Sequence, residues 1–289
     1  MTRRTGPSDA DRRRAVAVAL AALLALAGCA GVGAPGDAGA RTVNPSLAET
    51  PTATPTAPTP AGGFPPGVSR DGVEVERLID GHRSALTDGA DAWSVSLTRT
   101  VTGPAGTVER SAARVTVEGN RSLYTFERVR GENRLASAHW SNASASASRR
   151  VSWRGDVTLE GRPGDPGAPV GLDPTGGAWL YASSVDTRPE YVGTRETPNG
   201  TVTLIEAAEG RIERSGLPDR RRVRLSATVD ERGVVRSLTL RYAVFLGTDP
   251  GTVAVRLRVR DVGTTTVPRP PWVADALANA TAEGDAAGD

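Results

Sequence analysis

The sequence predicts an α+β fold: a large curved antiparallel β-sheet, a half-barrel, with one or two helices packed on its concave face. Three observations predict it. Between Trp93 and Val259 apolar residues recur with a period of two, in runs separated by glycine-containing turns. These runs are apolar on one side and polar or charged on the other, as in an antiparallel sheet with one packed and one wet face. Strand and helix patterns do not alternate along the chain, which argues against a parallel α/β fold.

The folded domain is expected over 64–280, starting at Phe64-Pro65-Pro66-Gly67. Val75, Leu78, Ile79, His82 and Leu86 then recur at helical spacing, with Glu76, Asp80 and Arg83 between them, and Gly89 is a stop signal. This predicts a helix over 74–87. After it Trp93, Val95 and Leu97 alternate with serine and threonine, and Gly103-Pro104-Ala105-Gly106 turns the chain. Val115 and Val117 continue the pattern, Gly119-Asn120 turns it, and Leu123 to Val129 forms the next strand. Residues 160–176, rich in Gly and Pro, break the meander, and Trp179-Leu180-Tyr181 begins a short second helix. Asn199-Gly200 is a hairpin signal ahead of Val202 to Ala207. Val223, Leu225, Ala227 and Val229 follow, then Leu238, Leu240, Tyr242 and Val244 beyond the turn at Glu231-Arg232-Gly233. Val253, Val255, Leu257 and Val259 close the series, with Arg256, Arg258 and Arg260 on the other face. A disordered tail is expected over 281–289.

The N-terminal quarter has a different composition. Arg12-Arg13-Arg14 precede Ala15 to Ala27, an uncharged stretch too short for a spanning helix and the right length for a signal h-region. It ends in Leu26-Ala27-Gly28-Cys29, which resembles the bacterial and archaeal lipobox. The resemblance implies a signal peptide over 1–28 and a lipid on Cys29, the single cysteine of the chain. The expected partner of that lipid is the membrane, with the domain on its extracytoplasmic face. Paired arginines permit twin-arginine export, but the usual flanking residues are absent, so both export routes stay open. Residues 29–63 then form a tether rich in Ala, Gly, Pro and Thr, able to reach roughly 100 Å if extended as polyproline II. Asn120, Asn142, Asn199 and Asn279 each start an N-x-[ST] triplet and are candidate N-glycosylation sites.

Charge and composition narrow the function. The chain contains 35 basic residues, all arginine, against 33 carboxylates. Without residues 1–28 the balance is 30 arginines to 31 carboxylates, so the basic excess sits in the leader and a nucleic-acid partner loses its electrostatic support. One cysteine excludes a disulfide scaffold and a cysteine–zinc site. No HExxH, GxSxG, P-loop or EF-hand pattern occurs, so no catalytic residue, metal ligand or cofactor is assigned. His82 lies on the apolar stripe of the first helix, where a satisfied core histidine outranks a ligand, and His139 stands beside Trp140. The arginine run 211–224 reads as a solvated strand edge ahead of an anionic-lipid or glycan site. The tryptophans, including Trp93, Trp153 and Trp179, read as core ahead of a ligand platform.

Phe64-Pro65-Pro66-Gly67-Val68-Ser69-Arg70-Asp71-Gly72-Val73, with Asp80-Gly81-His82-Arg83-Ser84-Ala85-Leu86, resembles the start of a family of haloarchaeal surface lipoproteins without known function. The ending Val259-Arg260-Asp261-Val262-Gly263-Thr264-Thr265-Thr266-Val267-Pro268-Arg269-Pro270-Pro271 resembles the last strand of that family. It is also similar to the LolA-like and LppX-like lipoprotein carriers. The second resemblance implies a half-barrel capped by helices around a lipid-binding cavity, and supplies no catalytic residue. The leading expectation is therefore a non-enzymatic, membrane-anchored lipoprotein that binds an apolar or lipid ligand. The alternative is a structural or adaptor module of the cell envelope that binds a protein or glycan. An exported hydrolase ranks last.

Overall fold

The computed structural model describes residues 63–165, 173–212 and 220–286; Cys29, the expected signal segment and the expected tether lie outside them. A two-stranded hairpin, β1 (Val68–Ser69) and β2 (Gly72–Val73), leads into helix α1 (Val75–Thr87). Six strands follow: β3 (Ala92–Gly103), β4 (Gly106–Glu118), β5 (Arg121–Arg130), β6 (Asn133–Ser141), β7 (Ala145–Val151) and β8 (Val157–Pro163). Helix α2 (Gly177–Ser184) separates them from β9 (Glu190–Thr197), β10 (Gly200–Ile212), β11 (Arg220–Asp230), β12 (Val235–Leu246) and β13 (Asp249–Arg260). Helix α3 (Trp272–Ala286) closes the chain.

The eleven long strands form one open antiparallel sheet, in the order β8-β7-β6-β5-β4-β3-β13-β12-β11-β10-β9. It consists of two meanders, β3–β8 and β9–β13, joined where β13 pairs with β3 through Leu257↔Leu97 and Val259↔Val95. The first and last expected strands thus meet at the centre. The strand register puts Val95, Val115, Tyr124 and His139 on one face, called inner here, and Ser94, Thr116, Leu123 and Trp140 on the other.

Helices α1 and α2 cover the inner face, as expected. Leu78, Ile79, His82 and Leu86 form the buried stripe of α1. They pack with Leu180 of α2 against Val95, Val115, Ile205, Leu225, Val229, Leu238 and Leu257 of the sheet. Each aliphatic side chain among them stabilises the fold by roughly 1.5–3 kcal/mol through burial. Gly176 enters α2 at φ +78, and a Cβ there would lie 2.8 Å from Val95 Cγ1, so this position needs glycine for both conformation and space.

Three findings correct the sequence reading. Strands β6, β7 and β8 extend the meander through Ser- and Ala-rich chain, and the break begins only after Pro163. Helix α3 was not expected, and it packs on the outer face, opposite α1 and α2. Its Val273 and Ala276 meet Trp140, Ala145 and Ala147, whose alternation points them away from the inner core. Gly161 of β8 makes this approach possible, since a Cβ there would stand 2.2 Å from the carbonyl oxygen of Ala276. Residues 281–286 continue α3, so the expected tail begins inside a helix.

Candidate functional site

The α1–α2 pair is fastened over the inner face by polar contacts at its rim. His82 is fully buried. Its Nδ1 accepts the Val235 N–H at 3.2 Å, which leaves the proton on Nε2 to donate to the Thr175 carbonyl at 2.9 Å. One neutral ring therefore ties α1, the approach to α2 and the start of β12 together. Burial holds its pKa below the ordinary imidazole value despite the Thr175 carbonyl and nearby Asp173. Arg83 grips Asp173 Oδ2 through Nε at 3.1 Å and Nη2 at 3.0 Å, and Trp93 Nε1 donates to the Pro174 carbonyl at 3.0 Å. Burial by itself would raise the Asp173 pKa. Hydrogen bonds from Thr175 and Arg83 outweigh it and pull the carboxyl below its ordinary range.

Beneath the helices lies an apolar crevice of about 20 Å³, bounded by Val75, Ile79, Leu180, Pro189, Ile205 and Leu238 among others. That volume admits one water and nothing larger. This half of the inner face is a packed core.

The neighbouring stretch of the same face is less covered. Leu97, Tyr124, Trp179, Tyr242 and Val255 pack against the edge of the core and stay half-buried, as does Phe126. In register, Leu97 and Phe126 flank Ala113, and Phe126 neighbours Ser137. Small residues thus alternate with large, half-buried apolar ones along this strip, the trough of the inner face, with Ala113 itself buried. Burial pushes the Tyr124 hydroxyl up to about 12, so it remains a neutral donor at the trough wall.

On β4 and β5 the trough ends in charge, while apolar residues continue beyond Arg99 through Val101, Val253 and Val244. One row beyond Leu97 and Phe126 the inner positions are Arg99, Ser111 and Arg128, with Glu109 in the row after. Arg99 Nη1 lies 2.7 Å from Glu109 Oε1, and Arg128 Nη2 bonds the other carboxylate oxygen. Two guanidinium groups thus share one carboxylate, leaving a net positive charge at the apolar boundary. Arg128 is 6% exposed, and its Nε, also buried, has no hydrogen-bond partner among the described residues. The β7–β8 turn brings Trp153 over this cluster, its ring centroid 5.9 Å from the Arg128 guanidinium carbon. Trp153 is 41% exposed, which corrects its reading as core; Trp93 and Trp140 are core.

The residues singled out in the sequence do not converge on one place. His82 is the satisfied core histidine expected, whereas His139 lies on the inner face of β6 beside Tyr124. Among the described residues no group of three or more His, Cys, Asp or Glu is placed to hold a metal. Asn120 and Asn199 occupy exposed hairpin turns, and Asn279 lies exposed on α3. The Asn142 side chain is engaged in its turn, where Oδ1 accepts the Ser144 and Ala145 N–H groups at 2.9 and 2.8 Å. Arg220 and Arg221 stack over Tyr242 and Phe245. The Arg99–Glu109–Arg128 cluster was missed. Its signal was available: Arg99 shares the parity of Trp93, Val95 and Leu97, and Arg128 shares that of Tyr124 and Phe126.

No curated protein matches the chain. Among solved structures, a LolA superfamily protein from Nitrosomonas europaea matches at 12% identity, over 68% of this chain and 96% of that one, with a TM-score of 0.21. The profile of a family of unknown function (DUF7537) matches residues 14–276.

Proposed function

The chain belongs to DUF7537, a family of unknown function, and we propose that it is a membrane-anchored extracytoplasmic lipoprotein that binds an apolar or lipid ligand without catalysing a reaction. The observation that carries the ligand is the inner-face trough. Leu97, Phe126, Val255 and Trp179 are half-buried beside a closed core, and the Arg99–Glu109–Arg128 cluster under Trp153 caps this strip on β4 and β5. An apolar body along the trough would regain the burial these side chains lack, about 25 cal/mol per Å² covered. The net charge at the end suits a molecule with an acidic or strongly polar head. The Leu26-Ala27-Gly28-Cys29 motif supports the anchor, and residues 29–63 the spacing from the membrane.

The water-sized crevice under α1 and α2 favours the second reading, an envelope adaptor with a filled core. Native mass spectrometry of the full chain, extracted from its own membrane background, separates the two. A discrete added mass beyond the anchor that extracts into organic solvent supports the ligand. The anchored polypeptide mass alone, with no uptake of added lipid, overturns it in favour of the adaptor.

A further inference from the structure

The outer face of the sheet carries a second feature that the ligand reading does not use. Across five adjacent strands, β4, β3, β13, β12 and β11, the outward positions hold Arg110, Arg114, Arg256, Arg258, Arg241 and Arg224, all exposed. The outward residues between them are mainly hydroxylic: Ser96 and Thr98 on β3, Ser237 and Thr239 on β12, Ser226 on β11. Register places Arg241 directly across from Arg224, and Ser96 between Arg114 and Arg258. At ~4.8 Å per strand the field is about 19 Å wide.

Among the described residues none of these six arginines has a carboxylate partner. The acids that share this face stand at its margins. Glu118 is engaged by Arg121 and the Val267 N–H, Asp230 by Arg236, and Glu127 by Arg134, while Glu206 lies outside the field on β10. In a chain whose charges balance beyond residue 28, six exposed arginines without a carboxylate partner among the described residues thus share one sheet surface. Phe245, two outward positions beyond Arg241 on β12, already lies under the Arg221 guanidinium at 5.2 Å, and no aromatic stands among the six arginines themselves, which disfavours a single-stranded nucleic acid. Guanidinium forks flanked by hydroxyls match phosphate oxygens.

We propose that this outer face docks on an anionic membrane surface, its arginines and hydroxyls engaging lipid phosphates. Residues 29–63, with Cys29 at their start, are long enough to let this face lie against the membrane that holds the anchor. The contact is electrostatic adsorption. No large apolar group in the field inserts into the bilayer.

Vesicle flotation of the full chain tests the proposal, comparing wild type with the triple variant R241Q/R256Q/R258Q. Vesicles are neutral phosphatidylcholine, or phosphatidylcholine mixed with anionic phosphatidylglycerol. The leader and any acyl chain are common to both proteins, so their difference reads the sheet. At ~1 kcal/mol per arginine near such a surface, the variant loses on the order of 100-fold in partition to the anionic vesicles and nothing to the neutral ones. The difference closes at 1 M salt, where the screening length is about 3 Å. The R241K/R256K/R258K variant, which keeps the charge, retains most of the partition, and so separates charge from any effect on folding. Equal partition of wild type and the glutamine variant overturns the proposal. So does an arginine-dependent capture by a soluble acidic protein or polyanionic glycan without a difference on anionic vesicles.

Discussion

Replacing Glu109 by glutamine keeps the shape of the side chain and removes the one negative charge shared by Arg99 and Arg128. The structure sets the magnitude. The Arg128 side chain is 7% exposed and that of Glu109 11%, so Arg128 is left as an uncompensated buried cation. Breaking such a pair costs about 3–5 kcal/mol. Arg99, at 30% exposed, adds little because water reaches it. With about 2–4 °C per kcal/mol for a domain of this class, Glu109→Gln lowers Tm by roughly 6–20 °C. The second arm is the double variant Glu109→Gln/Arg128→Met. It removes both buried charges and fills the space with an apolar chain, so it regains most of the loss. Chemical denaturation of wild type, Glu109→Gln, Arg128→Met and the double variant gives the coupling energy. A loss below about 1 kcal/mol in the single variant, or a double variant as unstable as the two singles summed, refutes the assignment of a desolvated charge cluster.

Three further outcomes follow from the geometry. Acid should destabilise the fold in two ranges. His82 is held neutral below its ordinary value of 6.5, so its contribution is present above that pH and falls as the unfolded chain takes up the proton below it. Asp173, lowered from 3.8, adds a second loss as the pH drops past that value, and His82→Asn should abolish only the first slope in a Tm-against-pH series. Gly161→Ala forces a methyl group against the Ala276 carbonyl and should cost about 1–3 kcal/mol as α3 shifts off β8, read by thermal unfolding; an unchanged Tm would contradict the close approach. Phe126→Ala removes a trough wall and should weaken uptake of a fluorescent fatty acid by roughly 10–100-fold, while leaving the core under α1 intact.

Much of the architecture could be read before the structure. The stripe Leu78, Ile79, His82 and Leu86 located α1, and the alternation in β3, β4 and β11–β13 located the central strands, because those strands bury one face under helices. Strands β6–β8 escaped because their outward side packs under α3 through small residues such as Ala145 and Ala147, while their inner side carries serines. Serine and alanine give no period. Helix α3 escaped because its buried contacts are few and small, Val273 and Ala276, and its partner is the outer sheet face, which the single-sided pattern assigned to water. The charged end of the trough was legible only in part. Arg99 stood at an inward position, but its partners Glu109 and Arg128 lie 10 and 29 residues further along, and only the register between β3, β4 and β5 brings them together.

The central claim is that an amphiphile lies along the inner face between Trp179 and Trp153. Quenching of tryptophan fluorescence by a brominated fatty acid tests it, using the full chain, Trp179→Phe and Trp153→Phe. The account predicts saturable quenching in wild type, reduced in each variant by the share of that ring, with Trp93 and Trp140 unaffected beneath their cover. Quenching that is absent, or that persists unchanged when both rings are removed, would place any ligand elsewhere and contradict the account.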